Sequence, residues 1–297
     1  MTSTQGRGGA GWSERTPAPV LVVGAIVSVQ CGSALARTLF HVAGAAGLTF
    51  MRLGLSAALL LIALRPRPWQ WSPVARRAAI LLGATMAAMN LTFYLAIRSV
   101  PLGVAVTVEF TGPLLVALAQ TRRLRDLGWA LLALAGVLLL GAGSGTAPVS
   151  GLALALLAGL FWGAYILASA RVGRLLPGTG GLAVALGVAG LLTLPFGAAG
   201  VGRALGQPSV LLGGLAVAVL SSLIPYSCEL AALRRLPTRI FGVLMSLEPA
   251  VAALAGLLVL GQALAPREVA ALVMVSLAST GITLGAVGLA PPGGTGV

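Results

Sequence analysis

Apolar segments of about twenty residues recur along the chain and leave few residues outside them. A bilayer core of about 30 Å requires roughly 20 apolar residues for one helical crossing. Charged residues make up 8% of the sequence, whereas ordinary soluble domains contain about 25%. The sequence therefore predicts an all-α integral membrane protein with ten transmembrane helices, at residues 19–37, 44–64, 78–98, 101–120, 126–143, 150–171, 177–199, 209–233, 238–261 and 267–289.

The first apolar segment has a second interpretation as a signal peptide. Arg7 and Arg15 precede it, and Ala34-Leu35-Ala36 resembles a cleavage site. The segment is nevertheless longer than the apolar core of a signal peptide, about 7 to 15 residues. A membrane span is therefore the favoured interpretation.

The arginines indicate how the spans are oriented. A net charge of +13 would suggest a nucleic-acid partner in a soluble protein, but here the arginines fall in short gaps between spans. Cytoplasmic loops carry an excess of basic residues. Both termini, residues 1–18 and 290–297, lie on the same side as the arginine-rich set of alternate loops and are therefore predicted to be cytoplasmic. The arginines of this set are Arg7, Arg15, Arg65, Arg67, Arg76, Arg77, Arg122, Arg123, Arg125, Arg171, Arg174, Arg234, Arg235 and Arg239.

Two segments of the chain resemble one another. RSVPLGVAVTVEFTGPLLVALA aligns with RRLPTRIFGVLMSLEPAVAALA, so that Arg98 matches Arg234 and Pro113 matches Pro249. Chance similarity between Ala/Leu-rich helices is the alternative explanation. A true duplication indicates that the chain consists of two related halves.

A repeat of five spans has an odd number of crossings, so its second copy enters the membrane in the opposite sense. The predicted halves are residues 19–143 and 150–289. Inverted repeats commonly place a binding site between the halves and expose it to each side in turn.

Ionisable side chains inside the predicted spans are candidates for a binding site. Each costs roughly 2.5 to 3.5 kcal/mol near the bilayer centre. One alternative is a structural ion pair between Arg52 and Glu109, and another is an interfacial pair between Glu229 and Arg234 or Arg235. Three acids against one base leave unpaired carboxyls, which could take up and release protons. The candidates are Arg52, Glu109, Glu229 and Glu248.

Prolines lie close to these charges. Proline leaves the carbonyl four residues earlier without its helical hydrogen bond, so Pro113 frees Glu109 O and Pro225 frees Ser221 O. By the same argument Pro249, beside Glu248, frees Met245 O. The freed carbonyls could line a polar cavity, although prolines in membrane helices also act simply as kinks.

Three further polar residues are candidates for lining this cavity. Asn90 and Tyr94 share a helix face, and the repeat aligns the span of Asn90 with the span of Tyr226. Hydrogen bonds between helices are an equally good explanation. GLFWG and GITLG have the small-residue spacing that allows helices to approach closely.

The runs MNLTFYLAIRSVPLGVAVTVEFTGPL and IPYSCELAALRRLPTRIFGVLMSLEPAVAAL, together with SALARTLF and LTFMRLGLSAALL, resemble the threonine/homoserine exporters of the drug/metabolite transporter superfamily. The halves of those proteins are called EamA domains. The resemblance implies two inverted five-helix repeats and proton-driven export of small neutral amino acids across the bacterial inner membrane. It also implies functional roles for Arg52, Glu109, Glu229 and Glu248.

Other classes of function remain as alternatives. A broader drug or metabolite exporter of the same fold is the nearest. A membrane enzyme is disfavoured because the sequence contains no HExxH or GxSxG motif. The absence of a P-loop argues against an ATP-driven pump. The expected partners are an amino-acid substrate, protons and the lipid bilayer, with no cofactor, no metal and no nucleic acid; the sequence does not distinguish a monomer from a homodimer.

Overall fold

The computed structural model describes residues 16–119, 124–141, 148–233, 235–236, 241 and 244–285, and this part of the chain contains helices and no strands. We number the α-helices in chain order. They are α1 (Ala18–Thr38), α2 (Phe40–Leu64), α3 (Pro73–Ala96), α4 (Leu102–Glu109), α5 (Thr111–Ala119), α6 (Leu124–Gly141), α7 (Val149–Leu175), α8 (Gly180–Ala204), α9 (Pro208–Ala218), α10 (Ile224–Leu233), α11 (Glu248–Leu260) and α12 (Pro266–Gly285).

Among the described residues, six helical segments are long and apolar enough to cross a membrane: α1, α2, α3, α7, α8 and the segment Pro208–Glu229. Shorter apolar helices occupy Leu102–Val116, Leu127–Leu140 and Glu248–Leu260. The described parts of the apolar segments are therefore mainly helical. Residues 286–289 of the predicted tenth span, and most of 238–243 of the ninth, lie outside the described residues.

Three predicted continuous helices are irregular, which corrects the sequence-based boundaries. The span predicted at 238–261 contains turn residues 246 and 247 directly before α11. The span predicted at 101–120 is divided at Phe110 into α4 and α5, because Pro113 cannot donate a hydrogen bond to Glu109 O. The span predicted at 209–233 contains a π-helical turn, Val219–Leu223. This turn ends two residues before Pro225 and widens the helix where a regular hydrogen bond to Ser221 O is impossible.

The helices pack mainly as pairs from opposite halves of the chain. Helix α2 packs on α8, α3 on α7 and α8, and α6 on α12. Helix α1 packs on α10 and α11, while α4 packs on α7 and α11. The two halves therefore interdigitate, and the interior of the bundle is formed jointly by both.

Large apolar side chains cover the outside of the bundle. Ile62, Leu138, Leu191, Phe196 and Leu258 are among the most exposed. A soluble protein rarely exposes such extensive apolar surface, whereas lipid accommodates it at no cost. The chain is a multi-pass membrane protein.

Candidate functional site

Arg52 lies in the interior of the bundle and is 5% exposed. Its Nη2 donates to Ser221 O at 2.6 Å, and its Nε donates to Ser222 Oγ at 3.2 Å. Ser221 O is the carbonyl that Pro225 leaves without a helical partner. The proline thus creates an acceptor for the guanidinium group.

The structural ion pair considered for Arg52 and Glu109 is absent: among the described residues, no hydrogen bond or ion pair joins these two side chains. The physical reason is the π-turn, whose free carbonyl lies within reach of Arg52. Depth in the membrane suggested the pair, but depth does not determine which helix faces Arg52.

Two serines that the sequence analysis did not select also bind the π-turn. Ser28 Oγ of α1 donates to Leu220 O at 2.7 Å, and Ser56 Oγ of α2 donates to Ala218 O at 3.2 Å. Side chains of α1 and α2 therefore satisfy the carbonyls at this irregular backbone. Buried irregular backbone in a membrane requires such partners.

Tyr94 and Asn90 have different environments although they share α3. The guanidinium carbon of Arg52 lies 5.6 Å from the centroid of the Tyr94 ring, a distance suited to a cation–π interaction. The Tyr94 hydroxyl is fully buried and has no hydrogen-bond partner among the described residues. Asn90 Nδ2 donates to Met86 O of its own helix at 2.8 Å, so Tyr94 joins Arg52 more directly than Asn90 does.

Glu109 is the last residue of α4 and is 8% exposed. Its carboxylate receives no hydrogen bond from the described residues, while Glu248 and Arg52 are within electrostatic range. A Cβ atom placed on Gly159 of α7 would lie 2.5 Å from Glu109 O. The carbonyl freed by Pro113 therefore packs against the backbone of α7, and the prediction that it lines a cavity is wrong.

The small-residue spacing of GLFWG explains this close approach. Gly112 of α5 and Gly159 of α7 leave no room for a side chain at their contact, and a Cβ on Gly163 would lie 3.2 Å from Val116 Cγ2. Phe110 packs edge-on against Trp162 with ring centroids 5.4 Å apart. The predicted close packing at Gly159 and Gly163 is confirmed.

Glu248 is the first residue of α11 and is 7% exposed. Turn residues 246 and 247 precede it, and Pro249 occupies the first helical turn, where its missing N–H costs nothing. The prediction that Pro249 frees Met245 O inside a helix is therefore wrong. Gln30 Nε2 of α1 donates to Glu248 Oε1 at 3.0 Å. Glu248 Oε2 is buried without a hydrogen-bond partner among the described residues.

Gln30 is the clearest residue that sequence reasoning missed. It is 2% exposed, and its Oε1 atom is also buried without a hydrogen-bond partner in the described part of the chain. A polar amide in the middle of an apolar span was the available signal. Because an amide carries no charge, Gln30 does not stand out among the ionisable groups of the spans.

Glu229 and Tyr226 are half-buried on α10. Glu229 is within electrostatic range of Tyr165, Tyr226 and Glu248, and Arg52 is within range of both tyrosines. Arg235 donates to Thr16 O at 2.7 Å, and Arg234 lies outside the described residues. Glu229 therefore belongs to the same interior group as Glu248, and Tyr165 is a further member that the sequence analysis missed.

The site thus combines one arginine, three carboxyl groups, a glutamine and several tyrosine and serine hydroxyls between helices of both halves. Within the described residues, no cluster of three or more His, Cys, Asp or Glu side chains could hold a metal ion. Cys31 and Cys228 are free thiols. The arrangement presents separate groups for anionic and cationic parts of a ligand.

Comparison with known proteins identifies the family. Residues 149–284 match the EamA-like transporter family. Threonine/homoserine exporter RhtA of Escherichia coli K12 is 44% identical over 270 residues, which cover 89% of this chain and 90% of that protein. The protein of the same name from Salmonella typhimurium LT2 is 44% identical over 271 residues, covering 90% and 91%. This chain belongs to the threonine/homoserine exporter family of EamA-like transporters.

The fold also resembles that of a solved structure. A crystal structure described only as that of a protein aligns with a TM-score of 0.59 and 22% sequence identity, covering 92% of this chain and 98% of the other. This similarity concerns the fold alone. Membership of the exporter family confirms the resemblance seen in the sequence, and the family is one of transporters rather than enzymes.

Proposed function

We propose that this protein exports small neutral amino acids, threonine and homoserine first, across the bacterial inner membrane. The observation that carries the proposal is the 44% identity to RhtA over about nine-tenths of both chains. Such coverage includes both predicted halves and every candidate site residue. The buried charged group supplies the chemistry for a zwitterionic substrate.

Arg52 is the group suited to the substrate carboxylate. Its guanidinium carries five N–H donors, and the contacts to the π-turn use only Nε and Nη2. The Nη1 group therefore remains available for a carboxylate oxygen. In this arrangement the π-turn orients Arg52 before the substrate arrives.

Export proceeds by alternating access between two inverted repeats, residues 19–143 and 150–289, with both termini in the cytoplasm. The pairing of helices supports this arrangement. In the repeat, α3 corresponds to α10 and α7 corresponds to α1, so the contact of α3 with α7 has its counterpart in the contact of α10 with α1. Helix α4 corresponds to α11, and these two helices contact each other. The centre formed by α1, α3, α4, α7, α10 and α11, which contact one another across the halves, would then change its accessibility as the halves move.

Proton antiport provides the driving force in this proposal. Glu109 is the best candidate for the proton-carrying group, because its carboxylate is buried, lacks a hydrogen bond and lies within range of both Arg52 and Glu248. In such surroundings a carboxyl group that binds a proton has a lower free-energy cost than one that stays charged without a partner.

Transport into proteoliposomes tests the proposal. Labelled threonine and homoserine are expected to accumulate when a proton gradient is imposed, and unlabelled substrate should compete. Arg52→Gln should abolish uptake, whereas Arg98→Gln, at an exposed position, should retain it. Unsaturable flux that ignores the gradient would contradict the proposal, and transport of organic cations instead of threonine would favour the broader drug exporter.

A further inference from the structure

Two acceptor atoms in the interior lack partners although their side chains are bonded to each other. Gln30 and Glu248 are joined by the 3.0 Å bond from Nε2 to Oε1. The other terminal oxygen of each group, Gln30 Oε1 and Glu248 Oε2, is buried and has no hydrogen-bond partner among the described residues. The two unpartnered oxygens therefore belong to the two planar groups that this hydrogen bond joins.

A buried polar atom without a partner is destabilising, so two of them on one bonded pair of side chains require an explanation. Both are acceptors, because the only donor of the pair, Gln30 Nε2, is directed at Glu248 Oε1. A carboxylate or another acceptor would be repelled at this position. A cationic donor would satisfy both oxygens and offset the charge of Glu248.

The position of Gln30 relates this pair to Arg52. Helix α1 carries both Gln30 and Ser28, and Ser28 bonds Leu220 O of the π-turn. Arg52 bonds the next carbonyl, that of Ser221. Helices α1 and α2 therefore meet at the same turn, α1 carrying Gln30 of the acceptor pair and α2 carrying the guanidinium group.

We propose that Gln30 and Glu248 together form the subsite for a primary ammonium group, with Gln30 Oε1 and Glu248 Oε2 as its acceptors. This inference rests on the proposed function, which supplies an amino acid as the ligand. Gln30 acts in two ways: it binds the ammonium group directly, and it orients the Glu248 carboxylate. Glu109 is outside this subsite, because no hydrogen bond connects it to either residue.

Gln30→Met tests the subsite, because methionine preserves length and volume while removing both polar atoms. Binding of threonine should weaken roughly ten-fold or more, the effect of losing a hydrogen bond to a charged group. Binding of 3-hydroxybutyrate, which is threonine without its ammonium group, should change by less than about two-fold. Both are measured by competition with labelled threonine on purified protein.

Thr193→Val is the matched control, because Thr193 is a buried polar residue that hydrogen-bonds only carbonyls of its own helix. Its threonine affinity should be that of the wild type. If Gln30→Met is not inserted, Gln30→Asn, which shortens the amide, should show the same selective loss.

Three outcomes would overturn the assignment of the subsite. Threonine affinity could be unchanged in both Gln30 variants, both ligands could weaken equally, or the control could lose as much affinity as Gln30→Met. Failure of the wild-type protein to bind threonine would instead overturn the proposed function, and this inference with it.

Discussion

Two interrupted helices each place a buried glutamate at the break, but they hold it differently. Glu109 ends α4, and Glu248 begins α11. Gln30 donates a hydrogen bond to Glu248, whereas the Glu109 carboxylate receives none from the described residues. Similar depth and charge therefore do not give the two acids equal roles: Glu248 is fixed, and Glu109 is free to change its partner.

The backbone at the two breaks also differs, although the repeat aligns Pro113 with Pro249. Pro113 lies four residues after Glu109 and frees its carbonyl, which packs on Gly159. Pro249 directly follows Glu248 in the first turn of α11, where no N–H is required. One proline divides a helix, and the other starts one.

The largest expected effect separates the two acids in transport. Glu109→Gln should eliminate threonine accumulation driven by a proton gradient while retaining exchange of labelled for unlabelled threonine, because the neutral amide cannot carry a proton. Glu248→Gln should instead weaken threonine binding roughly ten-fold or more. Gradient-driven uptake and counterflow measured in the same proteoliposomes distinguish these outcomes, and loss of both activities in both variants would contradict the contrast.

A smaller effect concerns the packed break at Glu109. Gly159→Ala places a methyl group against the backbone of α4 and should lower the free energy of unfolding by about 1 to 3 kcal/mol, as overpacking does. Gly173→Ala is the control on the same helix, because nothing lies within 4 Å of its added methyl group. Thermal unfolding in detergent compares the two; equal stability would show that α4 and α7 can separate freely at this point.

The sequence predicted the helical spans well because length and apolarity depend on each segment alone. It also predicted that Pro225 would free Ser221 O, since that follows from covalent chemistry. It could not predict that Arg52 would occupy this carbonyl, because the choice between Ser221 and Glu109 depends on which helices are neighbours. Gln30 was recognisable as a polar residue in an apolar span, but its partner Glu248 lies 218 residues away.

The smallest effect tests whether the π-turn positions the helix that tethers Glu248. Ser28→Ala removes the bond from α1 to Leu220 O and should cost about 1 kcal/mol of unfolding free energy, the usual value for one hydrogen bond. Thr38→Val is the control on the same helix, because Thr38 is exposed and its hydroxyl bonds only Leu35 O of α1. Threonine affinity should fall less in Ser28→Ala than in Gln30→Met, because the amide itself remains. If Ser28→Ala and Thr38→Val behave alike in both stability and affinity, the Gln30 side chain alone distinguishes Glu248 from Glu109, and the π-turn serves only to hold Arg52.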